Sequence, residues 1–238
     1  MLDAKGKAIL VTGCDSGFGF ILAKDLKNMG CKVFASVINE KGDSAKTLKG
    51  NGITVFQCDV SKDQDIEKLI EVIEKELDGK PLWGIVNNAG ISAFGDVEWT
   101  SIEIYKKLMD VNVWGVARVS KALIPLMRNE GGRIVVMASG LGRIMQPSRS
   151  PYAISKWAVE ALGEALRLEL HKYSIDVSIL EPGNYLGGTQ ILNPERIKEL
   201  TEKLWSGVDD RTRKYYPRDV FEKRVQELTG SCQNSREQ

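Results

Sequence analysis

Lys7-Ala8-Ile9-Leu10-Val11-Thr12-Gly13-Cys14-Asp15-Ser16-Gly17-Phe18-Gly19-Phe20 is the stretch from which the rest of the chain can be read. An apolar run of strand length ends in three glycines spaced GxxxGxG, and a helical pattern follows, so the unit is strand, tight turn, helix. Glycines let the backbone fold sharply and approach a ligand with no Cβ in the way. The helix behind offers unpaired N–H groups and the positive end of its dipole, which together favour a phosphate. A strand-to-helix turn without a ligand uses the same residues, and the spacing departs from GxGxxG, so the turn alone leaves both readings open.

Outward from it, strand-like and helical patterns alternate. Strands are expected at 7–12, 32–37, 53–57, 82–87, 133–138 and 176–180, and helices at 19–29, 41–49, 63–77, 98–110, 112–127 and 151–171. Turn signals fall between them: Gly30, Asn51-Gly52 and Gly131-Gly132. Strands separated by helices imply a parallel sheet with right-handed crossovers, hence an α/β fold of the doubly wound, Rossmann type, in a single domain. From residue 184 the pattern changes to charged helical segments at 194–205 and 218–228 around a linker at 206–216. These are expected to form a lid over residues 184–229, with a frayed tail from Ser231.

With 238 residues, 33 Lys+Arg and 32 Asp+Glu, the formal net charge is +1, which offers nothing to attract nucleic acid and favours a small-molecule partner. Cys14, Cys31, Cys58 and Cys232 lack CxxC spacing, which fits a reducing compartment and gives no metal site. No apolar run approaches the roughly 18 residues of a membrane span. The first strand follows Met1 so closely that no targeting segment is expected in this chain.

Other residues fall on the carboxyl edge of the sheet, where open α/β sheets bind ligands. Asp59, after the third strand, either accepts a hydrogen bond from an adenine amino group or caps the helix that follows. Asn87-Asn88-Ala89-Gly90 ends the fourth strand with residues small enough to let the backbone lie against a ribose or nicotinamide, or simply to turn. At the end of the second strand stand Val37-Ile38-Asn39-Glu40-Lys41. Glu40, with no arginine beside it, favours NAD, and Lys41 keeps NADP as the alternative.

Tyr152 and Lys156 stand four apart at the head of the longest helix and so share one face. A phenol with an ordinary pKa near ~10 needs a nearby cation to act as acid or base at neutrality. Lys156 is that cation, unless it is a solvated helix lysine beside a packed ring. Ser139, ending the fifth strand, is placed to hold a substrate oxygen or only to make a turn. His171, at the far end of the helix, reads as a dipole partner.

Thr12-Gly-x3-Gly-x-Gly, Asn87-Asn-Ala-Gly, Asn112, Ser139, Tyr152-x3-Lys156 and Pro182-Gly183 together resemble the short-chain dehydrogenase/reductase family over about residues 5–190. The resemblance implies hydride transfer between a nicotinamide and an alcohol or ketone. It makes Tyr152 the general acid/base, Lys156 its partner at the ribose, Ser139 the holder of the substrate oxygen and Asn112 the support of a relay water. It implies cofactor contacts at Gly13, Asp15, Ser16, Gly17, Phe18, Gly19, Asp59, Val60, Asn88, Ala89, Gly90, Tyr152, Lys156, Pro182 and Gly183, with Thr189 an uncertain one behind Leu186-Gly187-Gly188. Within the family the chain is similar to the branch holding retinol, hydroxysteroid and D-3-hydroxybutyrate dehydrogenases, most of all the last. That similarity rests on the stretch Asn88–Tyr105, on the approach Pro147-x-Arg149-Ser-Pro-Tyr152 and on Asn184 after Pro182-Gly183. It implies a short hydroxy acid as substrate, a mitochondrial setting with the cytoplasm as alternative, and a homodimer or homotetramer. A hydroxy acid needs donors for its carboxylate, and Arg143, Gln146 and Arg149 are the candidates, with Asn184 beside them. A retinol or steroid enzyme, and a non-catalytic nucleotide-binding protein on the same fold, are the competing readings.

Overall fold

The computed structural model describes residues 4–128, 131–183 and 191–233. Six strands form one parallel sheet: β1 (Ala8–Val11), β2 (Lys32–Val37), β3 (Thr54–Gln57), β4 (Gly84–Asn87), β5 (Gly132–Met137) and β6 (Ile175–Leu180). Their order is β3-β2-β1-β4-β5-β6. Successive residues of a strand face opposite layers, and the two apolar layers divide accordingly. Leu10, Phe34, Ile85 and Ile134 pack on one face with α3 (Asp63–Leu77), α5 (Gly115–Leu123) and α6 (Ser150–Leu170). Ile9, Val33, Ala35 and Val86 pack on the other with α1 (Gly17–Asn28) and α2 (Asp43–Gly50). The doubly wound fold expected from the alternation is what forms.

Local chemistry sets the boundaries. Helix α3 begins with Asp63 and Asp65 in its first turn, where carboxylates meet the positive dipole end, and buries Ile66, Leu69, Ile73 and Leu77. It stops where Asp78 and Gly79 take positive φ of 49° and 77°. Helix α6 starts behind Pro151 in its first turn and ends before Ser174 turns left-handed at φ 54°. Gly163 lets α6 lie close on β6, since a Cβ there would come within 2.7 Å of Ile179.

Three elements differ from expectation. The expected helices at 98–110 and 112–127 form one continuous rod, α4 (Ile102–Met109) running into α5 through a π-helical turn at Asp110–Trp114. The expected linker at 206–216 contains a helix, α8 (Asp210–Tyr215), started by Asp209, whose side chain accepts from the Thr212 N–H at 2.8 Å. Helix α9 (Arg218–Gln233) runs into the stretch expected to be frayed. With α7 (Pro194–Gly207) these helices have an apolar cluster of their own, in which Leu204, Val208, Phe221 and Val225 meet Phe94, Trp99, Ile104 and Leu108. Trp99 is edge-on to Phe221 at 4.7 Å between ring centres. The segment beyond the sheet is therefore packed onto the body.

Cys14, Cys31 and Cys58 are buried free thiols, and burial pushes the Cys58 thiol up to about 12, so it is not a nucleophile at neutral pH. Among the described residues no helix is long and apolar enough to cross a membrane, and no group of acidic, His or Cys residues is placed to hold a metal.

Two glycines make opposite predictions. A Cβ on Gly13, at φ +70°, would lie 2.7 Å from the Ala89 backbone, so Gly13→Ala is expected to lose about 1–3 kcal/mol in urea unfolding. Gly50 ends a helix with nothing within 4 Å of a new Cβ, so Gly50→Ala is expected to gain roughly 0.5 kcal/mol in the same assay.

Candidate active site

Helices leave for opposite faces of the sheet after β1 and β4, and the loops part there to open a crevice at the carboxyl edge. One threonine and one asparagine hold its floor. The Thr12 hydroxyl accepts from the Asn88 and Ala89 N–H groups, both at 3.0 Å, and the Asn88 amide donates to the Thr12 and Gly13 carbonyls at 2.8 and 3.1 Å. Asn88 thus spends its amide on the glycine turn while still lining the cleft. The cleft has a volume of about 950 Å³ and is lined at this end by Gly13, Asp15, Ser16, Gly17, Phe18, Asp59, Val60, Asn88, Ala89 and Gly90. Gly19 stays out of it. Its place is structural, because a Cβ there would be 2.5 Å from the Asn88 amide and the Gly13 carbonyl.

Asp15 reaches across the turn, and its carboxylate accepts from the Ile38 N–H at 2.9 and 3.0 Å and the Asn39 N–H at 3.2 Å. This sets a negative charge at the end of β2. Ile38 and Asn39 line the cleft there and Glu40 does not, so the acidic group facing this end comes from the glycine turn. Asp59 does not cap α3, whose N-cap is Lys62. Its carboxylate closes a turn instead, accepting from the Ser61 N–H and hydroxyl at 3.0 and 2.7 Å. Burial opposes the charge on Asp59, but the Ser61 hydrogen bonds with Lys62 and Lys107 outweigh it and hold the carboxyl below its usual range.

The fit to a dinucleotide rests on this geometry. The turn is too close to Ala89 to carry a side chain at Gly13, α1 has no acidic residue in its first turn, and Ser16 leaves that turn without a side-chain cap among the described residues. An uncapped N-terminus facing a cleft with no carboxylate in its first turn suits a pyrophosphate.

Further along the cleft, Ser139, Tyr152 and Lys156 lie on one wall. Ser139 ends β5 and its hydroxyl accepts from the Leu141 N–H at 3.2 Å. Burial raises the Tyr152 phenol above its usual value, while a hydrogen bond to Ser139 and the charge of Arg149 act downward. The cation expected to act on the phenol is aimed elsewhere. The Lys156 ammonium, 4% exposed, donates to the Met137 carbonyl at 2.7 Å and lies 5.5 Å from the Tyr152 ring centre. Burial lowers its pKa to about 8, against the upward influence of Glu160.

Asn112 sits behind this wall and not on it. Its amide donates to the Ile91 carbonyl and the Ser155 hydroxyl, both at 2.9 Å, and its oxygen accepts from the Ile91 N–H at 2.9 Å. Ser155 in turn donates to the Tyr152 carbonyl at 2.7 Å. The π turn delivers Asn112 to these partners, a use in keeping with the occurrence of such bulges at functional sites.

At the open end, Gln146 and Arg149 line the cleft. Arg149 is set by a strained neighbour: Ser148 holds φ 60° while its carbonyl accepts from the Gly95 N–H at 2.8 Å and its hydroxyl bonds Asp96. Arg143, expected to face the substrate, turns away to Glu181 at 2.9 Å and Glu160 at 3.0 Å. Two buried or half-buried carboxylates outcompete a solvated cleft for its charge. Asn184 and Thr189 lie outside the described residues. Arg196 and Lys107 also line the cleft, and the reading of the sequence missed both. Arg196 had a signal: Asn193-Pro194 marks a helix start, and the Asn193 side chain accepts from the Arg196 N–H at 2.8 Å. An arginine in a first helical turn opposes the dipole, so an external reason for it was legible.

Residues 7–199 match the short chain dehydrogenase family. The chain is 43% identical over 236 residues to the mitochondrial D-beta-hydroxybutyrate dehydrogenase of Mus musculus, covering 96% of this chain and 69% of the relative. It is 34% identical to retinol dehydrogenase 7 of the same species, covering 95% and 72%. Among solved structures, a short chain dehydrogenase from Mycobacterium smegmatis superimposes with a TM-score of 0.70 at 28% identity, covering 76% of this chain and 78% of that one. With this match and this site, the chain belongs to the short-chain dehydrogenase/reductase family, oxidoreductases that work with a nicotinamide dinucleotide.

Proposed function

We propose that the chain interconverts D-3-hydroxybutyrate and acetoacetate with NAD, using Tyr152 as general acid/base. The observation that carries this reading is the position of Arg149, on the cleft and near enough to Tyr152 for its charge to lower the phenol's pKa. A carboxylate held by that guanidinium brings a hydroxyl two carbons away up to the phenol. Gln146, and Arg196 from α7, supply further donors on the same cleft. The 43% identity to hydroxybutyrate dehydrogenases supports the same substrate.

A bound nicotinamide supplies the hydride acceptor. The chain's own groups do the proton chemistry. Ser139 donates to the substrate oxygen, and the ionised phenol of Tyr152 takes the hydroxyl proton as the C3–H bond breaks and the C=O bond forms. Lys156 holds positive charge beneath the ring, and Asn112 fixes α6 through Ser155.

NAD is favoured over NADP by Asp15, whose carboxylate stands at the end of β2 where a 2′-phosphate would add like charge. A second reading, a retinol or hydroxysteroid substrate, is favoured by the apolar cleft residues Leu141, Ile144 and Leu192, Ile144 being 66% exposed. A homodimer or homotetramer is proposed through the outer faces of α6 and of α5 with the π turn that leads into it, where Trp157 and Trp114 are about half exposed. The mitochondrial setting is carried over from the relatives' names.

Cofactor reduction with D-3-hydroxybutyrate, its L-enantiomer, a retinol and a 3-hydroxysteroid separates the readings. Turnover of the D-acid alone is expected, with Tyr152→Phe slower by about 10²–10⁴-fold, whereas turnover of only the apolar alcohols would move the chain to the sister branch. Arg149→Gln is expected to raise KM for the acid by roughly 10-fold or more and to spare any neutral alcohol. Because burial raises the phenol, oxidation is expected to climb with pH as Tyr152 ionises, and ketone reduction to fall over the same range. Ser139→Ala removes a downward influence, so the rising limb should move to higher pH. Asp15→Asn keeps an acceptor for the Ile38 and Asn39 amides but loses the charge, and should narrow the NAD:NADP ratio of kcat/KM by about 10-fold; an unchanged ratio would separate Asp15 from cofactor choice.

A further inference from the structure

One turn beyond Lys156, α6 carries Glu160, a carboxylate only 6% exposed. Neither of its oxygens makes a hydrogen bond among the described residues. An ionised carboxylate in that state is costly to bury, and a buried position on α6 would normally take an apolar residue. The charged groups around it come from three elements. Arg143, in the loop after β5, brings a guanidinium nitrogen to 3.0 Å from one oxygen, close but poorly aligned for a hydrogen bond. Glu181, just past β6, binds the same arginine at 2.9 Å. On α6 itself stand Lys156 and Glu164, the latter paired with Arg167 at 2.8 Å. Gly142 closes the space from the loop side, since a Cβ there would come within 3.1 Å of the Glu160 side chain.

Fixing the loop after β5 to the end of β6 would need only Arg143 and Glu181. Glu160 adds a buried negative charge to a pair already satisfied, and among the described residues the cation nearby that has no other carboxylate partner is the Lys156 ammonium, whose hydrogen bond goes to a neutral carbonyl. We propose that Glu160 is a positioning residue: held in place by Arg143, it is the counter-charge that keeps the buried Lys156 protonated. The role of Lys156 as a required cation rests on the function proposed above. The electrostatics agree in sign. Burial has already brought Lys156 down to about 8, Glu160 is the influence that opposes this fall, and Glu160 itself is raised by burial and by Glu181. Removing the negative charge therefore lowers Lys156 further, toward neutrality.

The test reads Lys156 directly. In protein labelled on lysine side chains and free of cofactor, the Lys156 resonance is titrated by NMR, with Lys156→Met giving the assignment. Glu160→Gln is expected to lower the Lys156 midpoint by about one pH unit. Glu160→Asp, which keeps the charge but withdraws it by a methylene, should shift that midpoint by less and in the same direction. Thermal melting checks that each variant is folded, and the aspartate variant carries the test alone if the glutamine variant is not. A Lys156 midpoint that is unchanged in the folded variants overturns the proposal. Absence of turnover with every hydroxy acid, beside a shifted midpoint, would instead count against the proposed function and leave the role of Glu160 standing.

Discussion

Two chain segments that leave the sheet toward opposite faces are tied together by the Thr12 hydroxyl and the Asn88 amide. The crevice depends on this tie. The order of the strands puts β1 beside β4, but strand order alone would leave two independent loops at the edge. The tie keeps the glycine turn open and pressed against Ala89, with no room for a side chain at Gly13. It also directs the N-terminus of α1 along the cleft. The bonds involved are buried or half-buried, so losing one leaves an unpaired polar group as well as an undone contact.

The opposite wall is organised by polar burial of another kind. Lys156, Ser155 and Asn112 are each at most 4% exposed. Asn112 reaches both the loop after β4, at Ile91, and the helix that carries Tyr152, through Ser155. The π turn at Asp110–Trp114 is the backbone adjustment that allows one side chain to serve both. Buried polar groups with fixed partners make such a site rigid. The phenol and Ser139 are then presented from two elements, α6 and the end of β5, whose relative position is set by the sheet.

Much of this was legible in the sequence because the signals are local and repeated. Alternating strand and helix patterns carried the sheet, and the carboxyl-edge residues Gly13, Asn88, Ser139, Tyr152 and Lys156 do line one cleft. What was not legible depends on pairing across the fold. Arg143 and Arg149 look alike in sequence, six residues apart in one loop, yet Arg143 is drawn to Glu160 and Glu181 from distant elements. The acidic group at the end of β2 was sought in Glu40, but the carboxylate there is Asp15, folded back from another loop. The π turn is not specified by composition, since Asp110 to Trp114 are all weak helix formers, which marks a soft place in the rod but not a bulge, and Asn112 finds its partners only across the fold. Helix α8 was hidden by its charge and its six residues, too short for periodicity to register.

Transfer of the C3 hydrogen of a hydroxy acid to a nicotinamide is the claim on which the account of the site turns. It is tested most directly with D-3-hydroxybutyrate carrying deuterium at C3, incubated with the protein and NAD, and the reduced cofactor analysed by mass spectrometry and NMR. The account predicts one deuterium on the reduced nicotinamide ring for each acetoacetate formed. Acetoacetate appearing with an unlabelled reduced cofactor, or no reduction at all by a folded protein that binds NAD, would contradict it.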